Sequence, residues 1–207
     1  MLRHLSKIAP FFLGLAFSNT IVDVNGQKTT LEINHENPNL IYLHLITGNI
    51  ETINSSNDEG NFTQLFLPNY HLSHDIGEPE LPEIHNLIEI PQNANPRIEI
   101  ISSNYQDYLL EDLGITNLIY PSQPSLSKSQ KPEDIPFILN SEVYSKNSML
   151  GKDLISIDIK GHLRAIQIAN LNIRPVDYNP TEGVLRVYTS LELNIHMDNA
   201  DFNKTQE

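Results

Sequence analysis

The feature that most constrains the fold is the alternation of apolar and polar side chains along long stretches of the chain. Residues 184–197, VLRVYTSLELNIHM, show it most clearly, because Leu191 and Leu193 fall on one side and Glu192 on the other. A strand keeps such alternate residues on separate faces, whereas a helix would mix them. The same period recurs at 39–53, 62–68, 86–91, 96–102, 153–161 and 163–175. With Gly, Pro and Asn between the runs, the pattern predicts an all-β chain folded as an antiparallel β-sandwich.

Local turn and breaker signals predict how these runs are connected. The Asn-Gly pair at 25–26 and the Thr-Gly-Asn triplet at 47–49 each separate two apolar runs, which predicts two β-hairpins. The polar, glycine-containing segment 54–61 is expected to be a loop. Residues 105–115, YQDYLLEDLGI, are the one candidate for a helix, which would end near Gly114.

Residues 120–137, YPSQPSLSKSQKPEDIPF, break the alternation. The segment holds four prolines and many serines, and it has no usable period. Each proline fixes φ and removes a backbone donor, so the segment cannot join a sheet along its length. It is predicted to be a long proline- and serine-rich surface loop. Loops of this length in a compact domain commonly either have a function or are mobile.

Composition excludes several kinds of chemistry. The sequence has no cysteine, so these residues contain no disulfide framework, thiolate metal site or cysteine nucleophile. The formal net charge of −13 disfavours a phosphate-binding surface, and no nucleic acid partner is predicted. No phosphate-binding loop, nucleophile elbow or zinc-protease motif occurs. The segment is therefore expected not to be an enzyme.

Two groups of polar side chains come closest to a metal or catalytic site. His71 and His74 lie three residues apart, but no third convergent ligand follows from the sequence, so no metal or cofactor is predicted. Glu78, Glu80 and Glu83 stand among prolines. Burial strong enough for acid–base catalysis is not expected there, and no catalytic residue is assigned.

The first 18 residues have the pattern of a signal peptide. A short basic stretch precedes the apolar residues 8–17, which are too few to span a bilayer, and Ala16 and Ser18 are small residues suited to a cleavage site. Residues 1–18 are therefore predicted to be removed and the rest of the chain exported. No later stretch reaches the roughly 18 apolar residues of a membrane span.

Three landmarks occur in order along the chain. They are GEPELPEIHNLIEIP at 77–91, YPSQPSLSKSQ at 120–130, and LRAIQIANLNIRPVDYNPTEGVLRVYTSLELNIHM at 163–197. Together they resemble the N-terminal propeptide of gingipain-type cysteine peptidases, family C25. The resemblance implies a propeptide-like β domain over 19–200 and a polar C-terminal tail at 201–207.

The resemblance also implies a function. The chain would be a non-catalytic prodomain that assists the folding of a caspase-like cysteine endopeptidase and keeps it latent. The catalytic domain would lie outside these residues, in cis or encoded nearby, and whether the chain is a fragment or a free-standing module stays open. The chain would be secreted, or held at the cell surface or in the periplasm of a bacterium. The alternative is an exported adhesion or ligand-binding module, although the absence of tryptophan counts against a carbohydrate platform.

Within the first landmark, Gly77, Pro79, Leu81 and Pro82 are expected to form a pinned turn. The two prolines fix φ and remove two backbone donors, while the glycine permits a conformation closed to other residues. Leu81 would anchor the turn, so that the following strand enters the sheet along one path without a disulfide.

In the family that the chain resembles, a basic side chain on a surface loop of the prodomain enters the specificity pocket of the peptidase. This implies Lys128 and Lys131, on the proline-rich loop, as candidates for that role. Lys146, in the next polar stretch, is the third candidate. Lys128 is favoured over Lys131, because Pro132 restricts the backbone of the residue before it.

Overall fold

A computed structural model describes residues 20–130, 135–163 and 166–205. These residues form thirteen strands, one 3₁₀ helix and two short α-helices. The strands are β1 Thr20–Val22, β2 Thr30–Asn37, β3 Leu40–Ile46, β4 Ile50–Asn57, β5 Gly60–Phe66, β6 His71–Leu72, β7 Pro82–Ile90, β8 Asn95–Leu109, β9 Leu118–Ile119, β10 Ile155–Leu163, β11 Ile166–Ile173, β12 Val176–Asn179 and β13 Val184–Asp198. The 3₁₀ helix is Leu110–Leu113, and the α-helices are α1 Ser141–Tyr144 and α2 Phe202–Thr205.

The strands assemble into three sheets. One sheet has the order β1-β4-β5-β9, the second has the order β10-β11-β7-β6, and the third has the order β12-β13-β3-β2 with β8 paired to β13. All strand pairs are antiparallel except β5 with β9. Strand β13 is the centre of the third sheet, because β8 follows it along its whole length while β12 and β3 share its other side.

One hydrophobic core draws on all three sheets. Alternate residues of β13 supply part of it, and Leu191 and Leu193 are completely buried while Glu192 is half-exposed. Strands β3, β7 and β11 also contribute to it, for example through Leu43, Ile84 and Leu171. The predicted all-β sandwich is therefore confirmed, and the face assignment within 184–197 is correct. No helix among the described residues has both the length and the apolar character needed to cross a membrane.

The two predicted hairpins at 25–26 and 47–49 are wrong. Strand β1 pairs with β4, and β2 pairs with β3, so both segments carry the chain from one sheet to another. The two crossovers pack against each other. The side-chain oxygen of Asn49 accepts hydrogen bonds from the backbone N–H groups of Val24 and Gly26 (2.9 and 3.2 Å). A Cβ on Gly48 would lie 2.4 Å from the carbonyl oxygen of Gln27, so only glycine allows this approach.

The segment 54–61 is not a loop but the end of a hairpin. Strand β4 continues to Asn57 and β5 begins at Gly60, which leaves a two-residue turn. The side chain of Asn57 accepts hydrogen bonds from the backbone N–H groups of Glu59 and Gly60 (2.9 and 3.1 Å), which is the Asx-type stabilisation expected of a tight turn.

The predicted helix at 105–115 is also wrong. Its first five residues belong to strand β8, because each of them pairs with a residue of β13, from Tyr105 opposite Tyr188 to Leu109 opposite Val184. Arg186 forms two hydrogen bonds of 2.7 Å with Asp107 and places its guanidinium 4.1 Å from the ring centre of Tyr105. Only Leu110–Leu113 turn helically, as a 3₁₀ helix that Gly114 ends in the left-handed conformation (φ 74°).

The segment 201–207 begins with ordered contacts. The backbone N–H of Asp201 donates to the carbonyl oxygen of Gln92 (2.8 Å), and α2 follows directly.

Candidate functional site

The turn at 77–82 is held by residues 72 and 73, which come just before it in the chain. Leu81 and Pro82 are buried, and Pro82 opens β7 opposite Leu72 of β6. The hydroxyl of the buried Ser73 accepts a hydrogen bond from the backbone N–H of Leu81 (3.0 Å), while the Ser73 N–H donates to the Leu81 carbonyl oxygen (2.8 Å). The absence of an N–H on Pro79 and Pro82 leaves no unpaired donor in this buried segment.

Gly77 lies between the two ends of the proline-rich loop. Its N–H donates to the carbonyl oxygen of Ser122, and its carbonyl oxygen accepts from the N–H of Asn140, both at 2.8 Å. Its φ is 80°, and a Cβ added there would lie 3.0 Å from Cγ2 of Ile138. Pro79 also forms an isolated β-bridge with Pro121. The structure thus joins the turn of the first landmark to the start of the second, since Gly77 and Ser122 are 45 residues apart in the sequence.

A second set of contacts joins the two ends of the loop directly. The backbone N–H of Ile138 donates to Oε1 of Gln123 (2.9 Å), and Nε2 of Gln123 donates to the Ile138 carbonyl oxygen (2.7 Å). The rings of Phe62, Tyr120 and Phe137 contact one another, with ring centres 5.3 to 5.8 Å apart. These contacts form the base of an excursion of the chain, called the loop, of which the structure describes residues 124–130 and 135–137.

The candidate lysines lie in different surroundings. Lys128 is exposed in a turn in which the Gln130 N–H donates to the Ser127 carbonyl oxygen (3.0 Å). Lys131 lies outside the described residues. Lys146 is exposed just after α1, away from the loop in sequence, and its carbonyl oxygen accepts a hydrogen bond from Thr181 (2.7 Å).

One carboxylate near the turn is buried, contrary to the expectation from sequence. Glu83 accepts a hydrogen bond from Nε of Arg174 (2.6 Å) and lies 2.8 Å from Nε2 of His85. The prolines around it favoured an exposed turn, but Arg174, which comes just after β11, covers it. The sequence signal for this partner was the arginine of the RPVDYNP motif, which periodicity alone does not distinguish from a surface residue.

The other charged groups at the turn are arranged around Lys152. Its ammonium contacts the carboxylates of Asp75 and Glu78, the latter at 2.6 Å. Burial raises the pKa of the Glu80 carboxyl, and the nearby His74 only partly offsets this effect. The two ion pairs of Lys152 tie Asp75 and Glu78 to the segment just before β10.

One of the two histidines that could have suggested a metal, His71, makes a ring contact, whereas His74 is exposed. The ring of His71 contacts the ring of His85, with ring centres 5.2 Å apart. Across the described residues, no three His, Asp or Glu side chains converge as a metal site would require. A cavity of about 30 Å³ lies beside Ser73, Leu81 and Arg174. It is far smaller than the roughly 300 Å³ of the smallest typical ligand pockets.

The fold and its surface define an all-β module built around a pinned turn and an exposed loop. A model of the Propeptide_C25 family matches residues 32–207. The chain belongs to this propeptide family, which confirms the resemblance seen in the three landmarks and the expectation of a non-catalytic segment.

Known relatives extend this picture. Lys-gingipain of Porphyromonas gingivalis is 33% identical over 147 residues, which are 71% of this chain and 8% of the relative. Gingipain R1 of the same bacterium is 26% identical over 115 residues, which are 56% of this chain and 11% of the relative. The chain therefore spans only a small part of the length of these curated relatives.

Solved structures show the same fold. A structure that addresses the zymogenic latency of gingipain K from Porphyromonas gingivalis superposes with a TM-score of 0.81 at 26% identity, over 88% of this chain and 100% of that one. In the complex of the RgpB pro- and mature domains from the same organism, the match has a TM-score of 0.69 at 17% identity, over 82% of this chain and 85% of that one. At that identity the second match supports the fold alone.

Proposed function

We propose that this chain is the prodomain of a gingipain-like cysteine endopeptidase, whose folding it assists and which it keeps latent. The observation that carries the proposal is the family match over residues 32–207, together with the likeness to gingipain K over its whole matched chain. The described surface agrees with a partner-binding role, because the exposed residues 125–130 extend from a base that several hydrogen bonds hold in place.

The loop supplies the proposed inhibitory element. Residues 125–130 are exposed, and small or polar neighbours surround Lys128, so this stretch can lie extended in a narrow cleft. Pro124 and Pro132 restrict the backbone on either side and reduce the entropy that is lost on docking. Lys128 would place its ammonium against an acidic specificity pocket in a charge-assisted hydrogen bond. The name Lys-gingipain of the relatives is consistent with a lysine in that position.

Export is part of the proposal. Residues 1–18 would direct the chain out of the bacterial cytoplasm and be removed, so that prodomain and peptidase meet in the periplasm, at the surface or outside the cell. The predicted signal peptide lies outside the described residues. Its charge and length pattern, and the bacterial origin of the relatives, support it.

The test is a titration of the peptidase encoded with this chain by residues 20–207 and by three single variants, Lys128→Ala, Lys131→Ala and Lys146→Ala. We expect the unaltered segment to inhibit stoichiometrically, and Lys128→Ala to weaken inhibition about 100-fold, the size expected for the loss of a buried charged contact of about 3 kcal/mol.

Lys160→Ala is the control for this titration, because Lys160 is an exposed lysine of β10 outside the proposed contact. Failure of the unaltered segment to inhibit would contradict the proposed function. Equal inhibition by all four variants would contradict the pocket-blocking role of the lysines while leaving latency through other contacts.

A further inference from the structure

The two ends of the loop are joined by a single side chain that imitates a β-bridge. Gln123 both accepts from the N–H and donates to the carbonyl oxygen of Ile138. Its Nε2 also lies 3.0 Å from the carbonyl oxygen of Pro121, so the amide is also held by its own end of the loop. A residue 15 positions away is thereby paired as if it were a cross-strand neighbour.

The base is held more firmly than the loop it closes. Below Gln123, Gly77 is bonded to Ser122 on one end and to Asn140 on the other, and the hydroxyl of Tyr144 donates to the Ile119 carbonyl oxygen (2.6 Å). Above it, residues 125–130 are exposed, and the hydrogen bonds that they make with other described residues are to one another. Among the described residues, the Gln123 amide is therefore the hydrogen-bonded connection between the two ends that lies nearest the exposed stretch, next to the contact of the Phe137 ring with Tyr120.

We propose that Gln123 is a positioning residue for the loop: it fixes the separation and direction of the two loop ends and so holds Lys128 ready for docking. This inference rests on the proposed function, and it adds a residue that does not touch the peptidase. The physical reason is entropic. A loop whose ends are fixed samples fewer conformations, and a docking-competent fraction that falls tenfold raises the apparent dissociation constant tenfold.

The chemistry of the clamp explains why the residue is a glutamine. Pairing with a backbone N–H and a backbone C=O at once requires one acceptor and one donor in a plane, which an amide provides. A glutamate of the same shape keeps the acceptor but turns the donor into a second acceptor, which faces the Ile138 carbonyl oxygen. Gln123→Glu thus breaks half of the clamp without removing volume.

The experiment compares Gln123→Glu and Gln123→Ala with Gln106→Glu as the matched control. Gln106 is exposed on β8, and its side chain makes no hydrogen bond within the described residues. Three properties are measured: the association and dissociation rates with the peptidase, the rate at which trypsin cleaves the free chain after Lys128, and the urea midpoint of unfolding.

We expect both Gln123 variants to be cleaved after Lys128 at least about 10 times faster than the unaltered chain. Their association rate with the peptidase should fall by about the same factor, with little change in dissociation, because the docked loop makes the same contacts. The urea midpoint should match that of Gln106→Glu, which separates loop positioning from a general loss of stability.

Three results overturn the inference. Unchanged association rates in folded Gln123 variants would show that the clamp does not position the loop, whatever happens to cleavage. Gln123→Glu could also lower the urea midpoint well below that of the control, and the Gln123→Ala variant is then compared with it. If the two Gln123 variants lose the same amount of urea midpoint and the same amount of inhibition, Gln123 acts through stability alone. A failure of the unaltered chain to inhibit contradicts the proposed function itself, and the positioning role falls with it.

Discussion

Replacing Gly77 by alanine tests the joint between the turn and the loop. Gly77 has φ of 80°, a conformation that costs a residue with a Cβ about 1–2 kcal/mol. The new methyl would also lie 3.0 Å from Cγ2 of Ile138 and 3.2 Å from the backbone nitrogen of Asn140, and overpacking of this kind costs about 1–3 kcal/mol. A less flexible unfolded chain returns about 0.4–1 kcal/mol. We therefore expect Gly77→Ala to lower the free energy of unfolding by about 2–3 kcal/mol.

The matched control is Gly114→Ala. Gly114 has φ of 74°, but no atom lies within 4 Å of the position of its absent Cβ. Its substitution carries the same backbone strain without the contact, and we expect a loss of about 1 kcal/mol or less. The measurement is urea unfolding followed by circular dichroism, and the two variants are compared when their free energies of unfolding depend on urea concentration with the same slope. Equal losses for Gly77→Ala and Gly114→Ala would refute the idea that close approach of the 138–140 segment requires glycine at position 77.

Two further predictions concern the core and the buried ion pair. Leu193→Ala should lower the free energy of unfolding by about 2–5 kcal/mol and Glu192→Ala by under about 0.5 kcal/mol, and similar urea midpoints for the two would contradict the face assignment of β13. Arg174→Met should cost about 3 kcal/mol because it removes the guanidinium partner of the buried Glu83 carboxylate and leaves only His85 beside it, whereas Arg97→Ala, which breaks only an exposed pair, should cost under about 1 kcal/mol. Unfolding curves that do not distinguish the two arginines would show that the Glu83 pair is not the stronger of the two.

Elements with a strict period of two could be predicted from the sequence. In β13 every second residue from Leu191 to Met197 is buried. Because only one face of the strand is buried, apolar and polar residues alternate in the sequence, and this alternation predicts a strand. The proline-rich loop was likewise visible, because prolines without a period are not expected inside a sheet, although its predicted first residues Pro121 and Ser122 are buried and Pro121 forms a β-bridge with Pro79. Local chemistry was sufficient in both cases.

Connections between sheets could not be predicted in this way. An Asn-Gly pair favours a tight turn wherever it occurs, but at 25–26 the partner that fixes it is Asn49, which is more than 20 residues away. Residues 105–109 have a helix-compatible local sequence, and pairing with β13 overrides it. Tertiary contacts decided both outcomes.

The candidate site shows the same limit. The turn residues were recognisable because glycine and proline have backbone consequences of their own. Gln123 was not recognisable, because its role depends on the backbone of Ile138, which only the folded chain brings within reach. Arg174 was missed for the same reason, since the depth of Glu83 follows from packing rather than from its neighbours in sequence.

The central claim is that this chain holds a cysteine peptidase latent by occupying its active-site cleft. The most direct test is the rate at which an active-site-directed alkylating reagent labels the catalytic cysteine of the peptidase encoded with this chain, measured with increasing amounts of residues 20–207. We predict that labelling slows in a saturable way as the concentration of the chain rises, in parallel with inhibition. Lys128→Ala should shift the labelling curve and the inhibition curve to higher concentrations of the chain by the same factor. Labelling at an unchanged rate while the peptidase is saturated with the chain would contradict it.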